Sequence, residues 1–200
     1  MTMERVLVGL ATDDEAVLRH VDRRLAIQLE VMRRTLTACD GRADVLWIGE
    51  DLGTQIAPMI SPALFERHIR PRHQPFVDLG KQFGAKVMIH SCGSSCWAFD
   101  AFIDMGIDAV DTLQPEAAGM APERLKATWG ERLCFHGCIS TAGELAYGSA
   151  EQVRQVVRET IATMKPGGGY CLAPTHMIQS NSPIENVLAM YEAARYFGAY

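Results

Sequence analysis

The sequence contains no long basic block, and its 200 residues carry a formal net charge of −5. Proteins that bind the phosphates of a nucleic acid need clustered lysine and arginine side chains, so a nucleic acid is not an expected partner. No apolar run has the length of a membrane span, and the N-terminal segment lacks the long apolar core of a secretory signal. We therefore expect no association with a membrane and a cytoplasmic location.

The chain also lacks the G-x-G-x-x-G fingerprint, which argues against a dinucleotide-binding fold. Its glycine run at 167–169 precedes a predicted strand instead of following one, so it is interpreted as a helix stop and a turn. Six cysteines are present, but a chain of this size can build a core without disulfides, and the cytosol keeps thiols reduced. Metal binding or plain burial is the better interpretation of these cysteines.

Short apolar runs alternate with amphipathic stretches along the chain, which predicts strands alternating with helices. Near-continuous hydrophobicity within the short runs is typical of strands that are buried on both faces. The predicted strands are 44–49, 85–90, 108–113, 132–137 and 168–173. The predicted helices are 13–39, 61–84, 149–168 and 182–198. This order indicates an α/β fold with a parallel sheet, either an open doubly wound sheet or part of a (β/α)₈ barrel.

Polar and reactive side chains collect where each predicted strand ends. In barrels and open parallel sheets alike, chemistry is placed at the edge where the carboxyl ends of the strands meet. Because all five predicted strands end in such residues, the pattern favours the barrel and a single site at the carboxyl end of its strands. The residues at these strand ends are Glu50, Asp51, His90, Cys92, Asp111, Gln114, His136, Cys138, Cys171 and His176.

The stretch from His90 to Cys92 holds the strongest candidate for a metal site. Residues two apart in a strand point to the same face, so imidazole and thiolate can bind one ion, and zinc prefers both donors. A catalytic zinc site uses about three protein ligands, and Cys171 in the last predicted strand is the best candidate for the third. The rivals for that position are Cys96, Cys138 and His136. A buried cysteine beside a hydrogen-bonded histidine is the alternative interpretation.

Three segments of the chain carry a family resemblance. They are WIGEDLGTQIAPMISPALFERHIRPRH (47–73), MIHSCGS (88–94) and GGGYCLAPTHMIQSNSPIENVLAMYEAARYFG (167–198). In content and order they resemble the uroporphyrinogen decarboxylase superfamily, which implies a (β/α)₈ barrel of about 250 residues or more. Only about five βα units are visible here, so we predict a partial TIM-barrel fold. The predicted domain is a single one over 1–200 that corresponds to the C-terminal portion of the barrel.

The superfamily includes zinc-dependent cobamide methyltransferases, whose acceptors include coenzyme M and tetrahydrofolate. Their pattern of a His-x-Cys and a cysteine in the last strand falls on His90, Cys92 and Cys171. The resemblance therefore implies zinc (Zn²⁺) at these three residues. It also implies transfer of a methyl group from a methylated corrinoid, carried by a partner protein, to a small-molecule thiol or to tetrahydrofolate.

Further roles follow from this resemblance and from position at the strand ends. Asp51, Asp111 and His176 are expected to be catalytic: Asp51 would orient His90 or complete the coordination of the metal, and Asp111 and His176 would orient the substrate. Glu50 and Cys138 are candidates for an additional ligand. Each has an alternative interpretation, since a strand-end carboxylate or a buried histidine can simply satisfy local hydrogen bonds.

Two other functions stay open. One is a metal-free lyase of the decarboxylase type in porphyrin synthesis, which the segment LAPTHMI favours, although GCIST (137–141) replaces the decarboxylase's GNLDP-like segment. The other is a non-catalytic fragment that serves as an assembly module or binds a corrinoid protein. An incomplete barrel would expose two strand edges, and exposed edges pair with other chains, so we expect a homodimer or a higher oligomer.

Overall fold

The computed structural model describes residues 1–199, and in this part of the chain five parallel strands form one sheet. The strands are Val45–Gly49 (β1), Lys86–Ser91 (β2), Ala109–Thr112 (β3), Cys134–Ile139 (β4) and Tyr170–Pro174 (β5). Their order in the sheet is β1-β2-β3-β4-β5, the same as their order along the chain. The described sheet does not close on itself, so the predicted α/β class and the partial-barrel architecture are confirmed.

Helices precede the first strand, connect the strands and follow the last strand. The longer ones are Met3–Ala11 (α1), Glu15–Cys39 (α2), Arg70–Gln82 (α4), Pro122–Trp129 (α6), Ala150–Met164 (α8) and Ile184–Phe197 (α9). The shorter ones are Pro62–Leu64 (α3), Phe99–Met105 (α5) and Glu144–Tyr147 (α7), with a π-helical turn at Phe65–Ile69 and a 3₁₀ turn at Cys96–Ala98. Within residues 1–199, no helix combines the length and apolar character that crossing a membrane requires.

The chain divides into two compact units, of which the first comprises residues 1–48 and 60–87. Its longest helix, α2, begins at Asp14, whose carboxylate accepts the backbone N–H groups of Ala16 and Val17. The preceding Asp13 pairs with the buried His68 at 2.9 Å and also with Arg67. The capping carboxylate of Asp14 satisfies N–H groups that would otherwise lack a partner at the start of α2.

The second unit comprises residues 49–59 and the chain from residue 88 onward, and it contains every predicted site residue. One face of its sheet carries Ile89, Val110 and Phe135, which pair in register and are fully buried. Helices α8 and α9 pack with the end of β4 in an apolar core: Ile139, Leu145, Val153, Val157, Ile161, Ala189, Met190 and Ala193. Because side chains alternate along a strand, the polar residues next to this buried row lie on the opposite face.

Candidate metal centre

His90 and Cys92 meet at the carboxyl end of β2. The Nε2 atom of His90 lies 3.3 Å from the Sγ atom of Cys92. His90 is the next-to-last residue of β2, and Cys92 is the first residue after the strand ends. Because the two residues are two positions apart, the alternation of the strand directs both side chains into the same space. Both residues are half-buried, which keeps the donor atoms accessible while limiting the water around them.

Asp51, in the loop that follows β1, supplies a third donor. Its Oδ1 atom accepts the backbone N–H of Cys92 at 3.0 Å and lies 3.7 Å from Nε2 of His90. Asp51, His90 and Cys92 each offer one ligand atom, and these three atoms lie within 4.8 Å of one another. This is the only group of three or more metal-binding side chains that meets that distance among residues 1–199.

Two glycines allow the loop of Asp51 to reach the loop of Cys92. A Cβ atom on Gly53 would lie 2.4 Å from the backbone nitrogen of Ser94, and one on Gly93 would lie 2.5 Å from the carbonyl oxygen of Gly53. Real Cβ atoms do not approach backbone atoms so closely, so the two loops touch only because both residues lack a side chain. The amide oxygen of Gln114 also accepts the N–H of Gly93 at 2.7 Å, which fixes this loop from a third segment.

A Gly93→Ala substitution is therefore expected to weaken metal binding by about tenfold or more, since it separates Asp51 from the other donors. Gly93 has φ +69°, so part of the effect will be backbone strain that has nothing to do with the loop contact. Gly168→Ala is the matched control, because Gly168 has φ +79° and open space around its Cβ position. Zinc affinity measured by competition with a chelator should fall in the first variant only. Equal affinities in the two variants would contradict the role given to this loop contact.

Asp111 on β3 holds His90 from the side opposite the donor cluster. Its Oδ2 atom accepts a hydrogen bond from Nδ1 of His90 at 2.8 Å, and its Oδ1 atom accepts one from Nδ1 of His136 at 2.5 Å. Burial opposes ionisation, but the hydrogen bonds from His136 and His90 keep the pKa of Asp111 well below its ordinary value. An ionised carboxylate can only accept hydrogen bonds, so His90 donates its Nδ1 proton and directs Nε2 towards Cys92 and Asp51.

The donor set and its spacing fit zinc. Zinc bonds of about 2.1 Å to nitrogen or oxygen and about 2.3 Å to sulfur, at tetrahedral angles, place ligand atoms about 3.6 Å apart. The observed separations from Nε2 of His90 are 3.3 Å to the sulfur and 3.7 Å to the carboxylate oxygen. A carboxylate that orients the ligating histidine, as Asp111 does here, is the usual partner of such a ligand.

Zinc affinity is expected to rise with pH. The hydrogen bond with Asp111, followed by the one with Cys92, raises the pKa of His90 to about 10. Below that pH the metal-free histidine carries a proton on Nε2, which a metal ion must displace, so affinity should increase about tenfold per pH unit for each proton released. Chelator competition at several pH values between 6.5 and 8.5 measures this slope. An affinity that does not change with pH would show that no proton leaves the site.

The other predicted site residues lie outside this cluster. Cys171 pairs in register with His136, and His136 pairs with Asp111, so Cys171 lies three strands from His90 on the same face. With strands about 4.8 Å apart, the backbones of Cys171 and His90 are separated by about 14 Å along the sheet. Its role as the third zinc ligand therefore stays a prediction, while Asp51 occupies the third position in the observed cluster.

Glu50, Cys138 and His176 have three different environments. The N–H of Glu50 donates to the carbonyl oxygen of His90 at 2.9 Å, which fixes the backbone beside the cluster. Burial raises the pKa of the Cys138 thiol to about 12, a condition that favours the neutral thiol over the thiolate needed for a metal. His176 is exposed in the loop after β5. The roles predicted for these three residues stay predictions.

Three of the contacts that build the centre are not predicted by the sequence. The sequence offers Asp111 for orienting the substrate and His136 only as a rival ligand, yet the carboxylate of Asp111 accepts hydrogen bonds from both His90 and His136. Thr112, next to Asp111, places its hydroxyl 3.0 Å from Nδ1 of His90. The signal available in the sequence was positional, since Asp111 and His136 stand at strand ends in the same way as His90.

An open parallel sheet with a His-Cys-carboxylate cluster at the carboxyl end of its strands defines a partial (β/α) barrel with a candidate metal centre. A family model described as uroporphyrinogen decarboxylase (URO-D) matches residues 2–197. The chain belongs to this family, which confirms the resemblance found in the sequence. A search of curated proteins gave no match.

Two solved structures are similar to this chain. A methyltransferase from Methanosarcina mazei has a TM-score of 0.77 and 18% sequence identity, over 100% of this chain and 55% of that one. A dihydropteroate synthase from Anaplasma phagocytophilum, with bound 6-hydroxymethylpterin-monophosphate, has a TM-score of 0.52 and 14% identity, over 84% of this chain and 66% of that one. At these identities the similarity establishes the fold alone. The chain spans about half the length of the methyltransferase.

Proposed function

We propose that this protein is a zinc-dependent methyltransferase that moves a methyl group from a methylated corrinoid to a thiol or to tetrahydrofolate. The observation that carries the proposal is the cluster of Asp51, His90 and Cys92, whose donor types and spacing suit zinc. Membership of the URO-D family and the fold of the M. mazei methyltransferase support it. Three protein ligands would leave a fourth position on the ion for a substrate.

Some residues of the site would bind the metal ion, and others orient those ligands. His90, Cys92 and Asp51 would hold the ion, and Asp111 with Thr112 fixes the imidazole of His90 in the orientation that binding requires. When bound, zinc would act as a Lewis acid that lowers the pKa of a substrate thiol. The half-buried position of the ligands limits water around the reacting sulfur and strengthens electrostatic effects there.

The proposed reaction balances without any further reagent. A substrate thiolate attacks the methyl carbon, a sulfur–carbon bond forms and the carbon–cobalt bond breaks. Both electrons of the broken bond stay on cobalt, which goes from Co(III) to Co(I), and the thiol proton is released to solvent. A tetrahydrofolate acceptor would use N5 in place of the thiolate.

The direct test uses the zinc-loaded protein with free methylcobalamin as donor and either coenzyme M or tetrahydrofolate as acceptor. We expect conversion of methylcobalamin to the Co(I) form together with the methylated acceptor, and loss of both in the Cys92→Ser protein. Full activity in a metal-free preparation would overturn the proposal. Formation of coproporphyrinogen from uroporphyrinogen would establish the decarboxylase alternative, and binding of a corrinoid protein without either activity would establish the non-catalytic one.

The surface near β5 supports an additional proposal, that a second copy of the chain covers this edge. Ile184, Leu188 and Tyr191 stand at helical spacing on α9 and are 62%, 54% and 52% exposed. The stripe borders a cavity of about 320 Å³ between α8, β5 and α9, at the unpaired edge of the sheet. Light scattering should show a homodimer or a higher oligomer, and Leu188→Glu should shift it towards monomer. A monodisperse wild-type monomer would end this proposal.

A further inference from the structure

A single buried carboxylate connects two histidines on the accessible face of the sheet. Asp111 is 6% exposed, and each of its oxygens accepts one imidazole, His90 at 2.8 Å and His136 at 2.5 Å. The three residues pair in register on β2, β3 and β4, so the sheet itself fixes their spacing. His136 is half-buried and belongs to no group of potential metal ligands within residues 1–199.

The two hydrogen bonds make the histidines interdependent. If His136 were removed, Oδ1 of Asp111 would be a buried, charged acceptor without its partner, which is costly enough to turn the carboxylate or protonate it. His90 would then lose its acceptor for Nδ1–H, and the hydroxyl of Thr112, 3.0 Å away, is the nearest substitute. Because a hydroxyl can either donate or accept, it cannot enforce the tautomer of His90 as an ionised carboxylate does.

We propose that His136 is a positioning residue of the metal centre. It anchors Asp111, and Asp111 in turn fixes the tautomer and orientation of His90, so a residue two strands away controls metal affinity without touching the metal. The inference rests on the proposed function in one respect only, namely that His90 binds a metal ion. The hydrogen-bonded chain from His136 to His90 exists in the metal-free protein and can be tested there.

The experiment compares His136→Asn with His136→Gln. The amide nitrogen of asparagine takes nearly the place of Nδ1 and can still donate to Asp111, whereas the longer glutamine places its amide near the position of Nε2. We expect His136→Gln to lower zinc affinity about 10- to 100-fold in chelator competition, and His136→Asn to stay within about threefold of wild type. Equal affinities of the two variants, whether both high or both low, would overturn the inference.

A second readout separates this inference from the proposed function. In the metal-free protein, ¹H–¹⁵N NMR detects the Nδ1–H proton of His90 while it is held in the hydrogen bond to Asp111, and this signal should be present in wild type and in His136→Asn. In His136→Gln the signal should weaken, and no change there would contradict the inference. If wild type bound no zinc while this signal still responded to His136→Gln, the proposed function would fail and the positioning of His90 would stand. Circular dichroism of each variant verifies that the fold is retained.

Discussion

The Cys92→Ser protein is expected to lose zinc affinity by about 100-fold or more relative to wild type. Cys92 supplies the only sulfur of the donor cluster, and its Sγ lies 3.3 Å from Nε2 of His90. A serine hydroxyl keeps the size of the side chain but is not ionised near neutral pH, so it cannot replace a thiolate as a ligand. Elemental analysis should find about one zinc per chain in wild type and almost none in the variant.

Cys134→Ser is the matched control for this experiment. Cys134 is an exposed thiol on β4, in the same unit as the cluster but outside it. Removing it should leave the zinc content unchanged, which separates a specific ligand from general binding of zinc by accessible thiols. Full zinc content in the Cys92→Ser protein would contradict the proposed centre. Loss of zinc in a Cys171→Ser protein would instead restore Cys171 to the ligand set predicted from the sequence.

The Gly137→Ala protein is expected to lose about 3–5 kcal/mol of unfolding free energy. Gly137 on β4 has φ +129°, and a Cβ atom there would lie 2.1 Å from the carbonyl oxygen of Thr112 on β3. Backbone cannot move away cheaply at this point, because Asp111 and His136 are hydrogen-bonded across the same two strands. Urea-induced unfolding measures the loss as a shift of the transition midpoint.

Gly167→Ala isolates the steric part of this effect. Gly167 also has a positive φ, +76°, but nothing lies within 4 Å of its Cβ position. Its substitution should cost only about 1–2 kcal/mol, the ordinary penalty for a side chain in a left-handed conformation. If the two variants unfolded at the same urea concentration, the close packing of β3 against β4 would not be the reason for a glycine at 137. We further expect zinc binding to weaken in Gly137→Ala, since the same contact keeps Asp111 beside His90.

The alternation of strands and helices was predictable because it depends on local hydrophobic patterning. The ends of β1, β2 and β3 lie within one residue of their predicted positions, whereas β4 and β5 begin two residues later than predicted. The apolar side chain of Leu133 extends the hydrophobic run that predicts β4. In the structure Leu133 is buried in the turn after α6, where its N–H donates to the carbonyl oxygen of Trp129. Gly168 and Gly169 have positive φ and cannot belong to β5.

The prediction of one domain over 1–200 stays a prediction; within it, the chain forms two compact units. The short helices α5 and α7 carry no long amphipathic pattern, so the sequence does not predict them. Helical structure covers nearly all of the helix predicted at 61–84, but the π-helical turn at Phe65–Ile69 interrupts it. Such a turn is a change of one residue in the hydrogen-bond spacing, which the hydrophobic period does not record.

By itself, the sequence determined that the side chains of His90 and Cys92 lie on the same face, because alternation along one strand is a local property. Only the tertiary structure decided their partners. Asp51 lies 41 residues from Cys92 along the chain and reaches it because two glycines let the loops touch. Asp111 and His136 join through the register of the sheet, and the same register puts Cys171 three strands away. Register and backbone contact arise from packing between distant segments, and no pattern within a single segment encodes them.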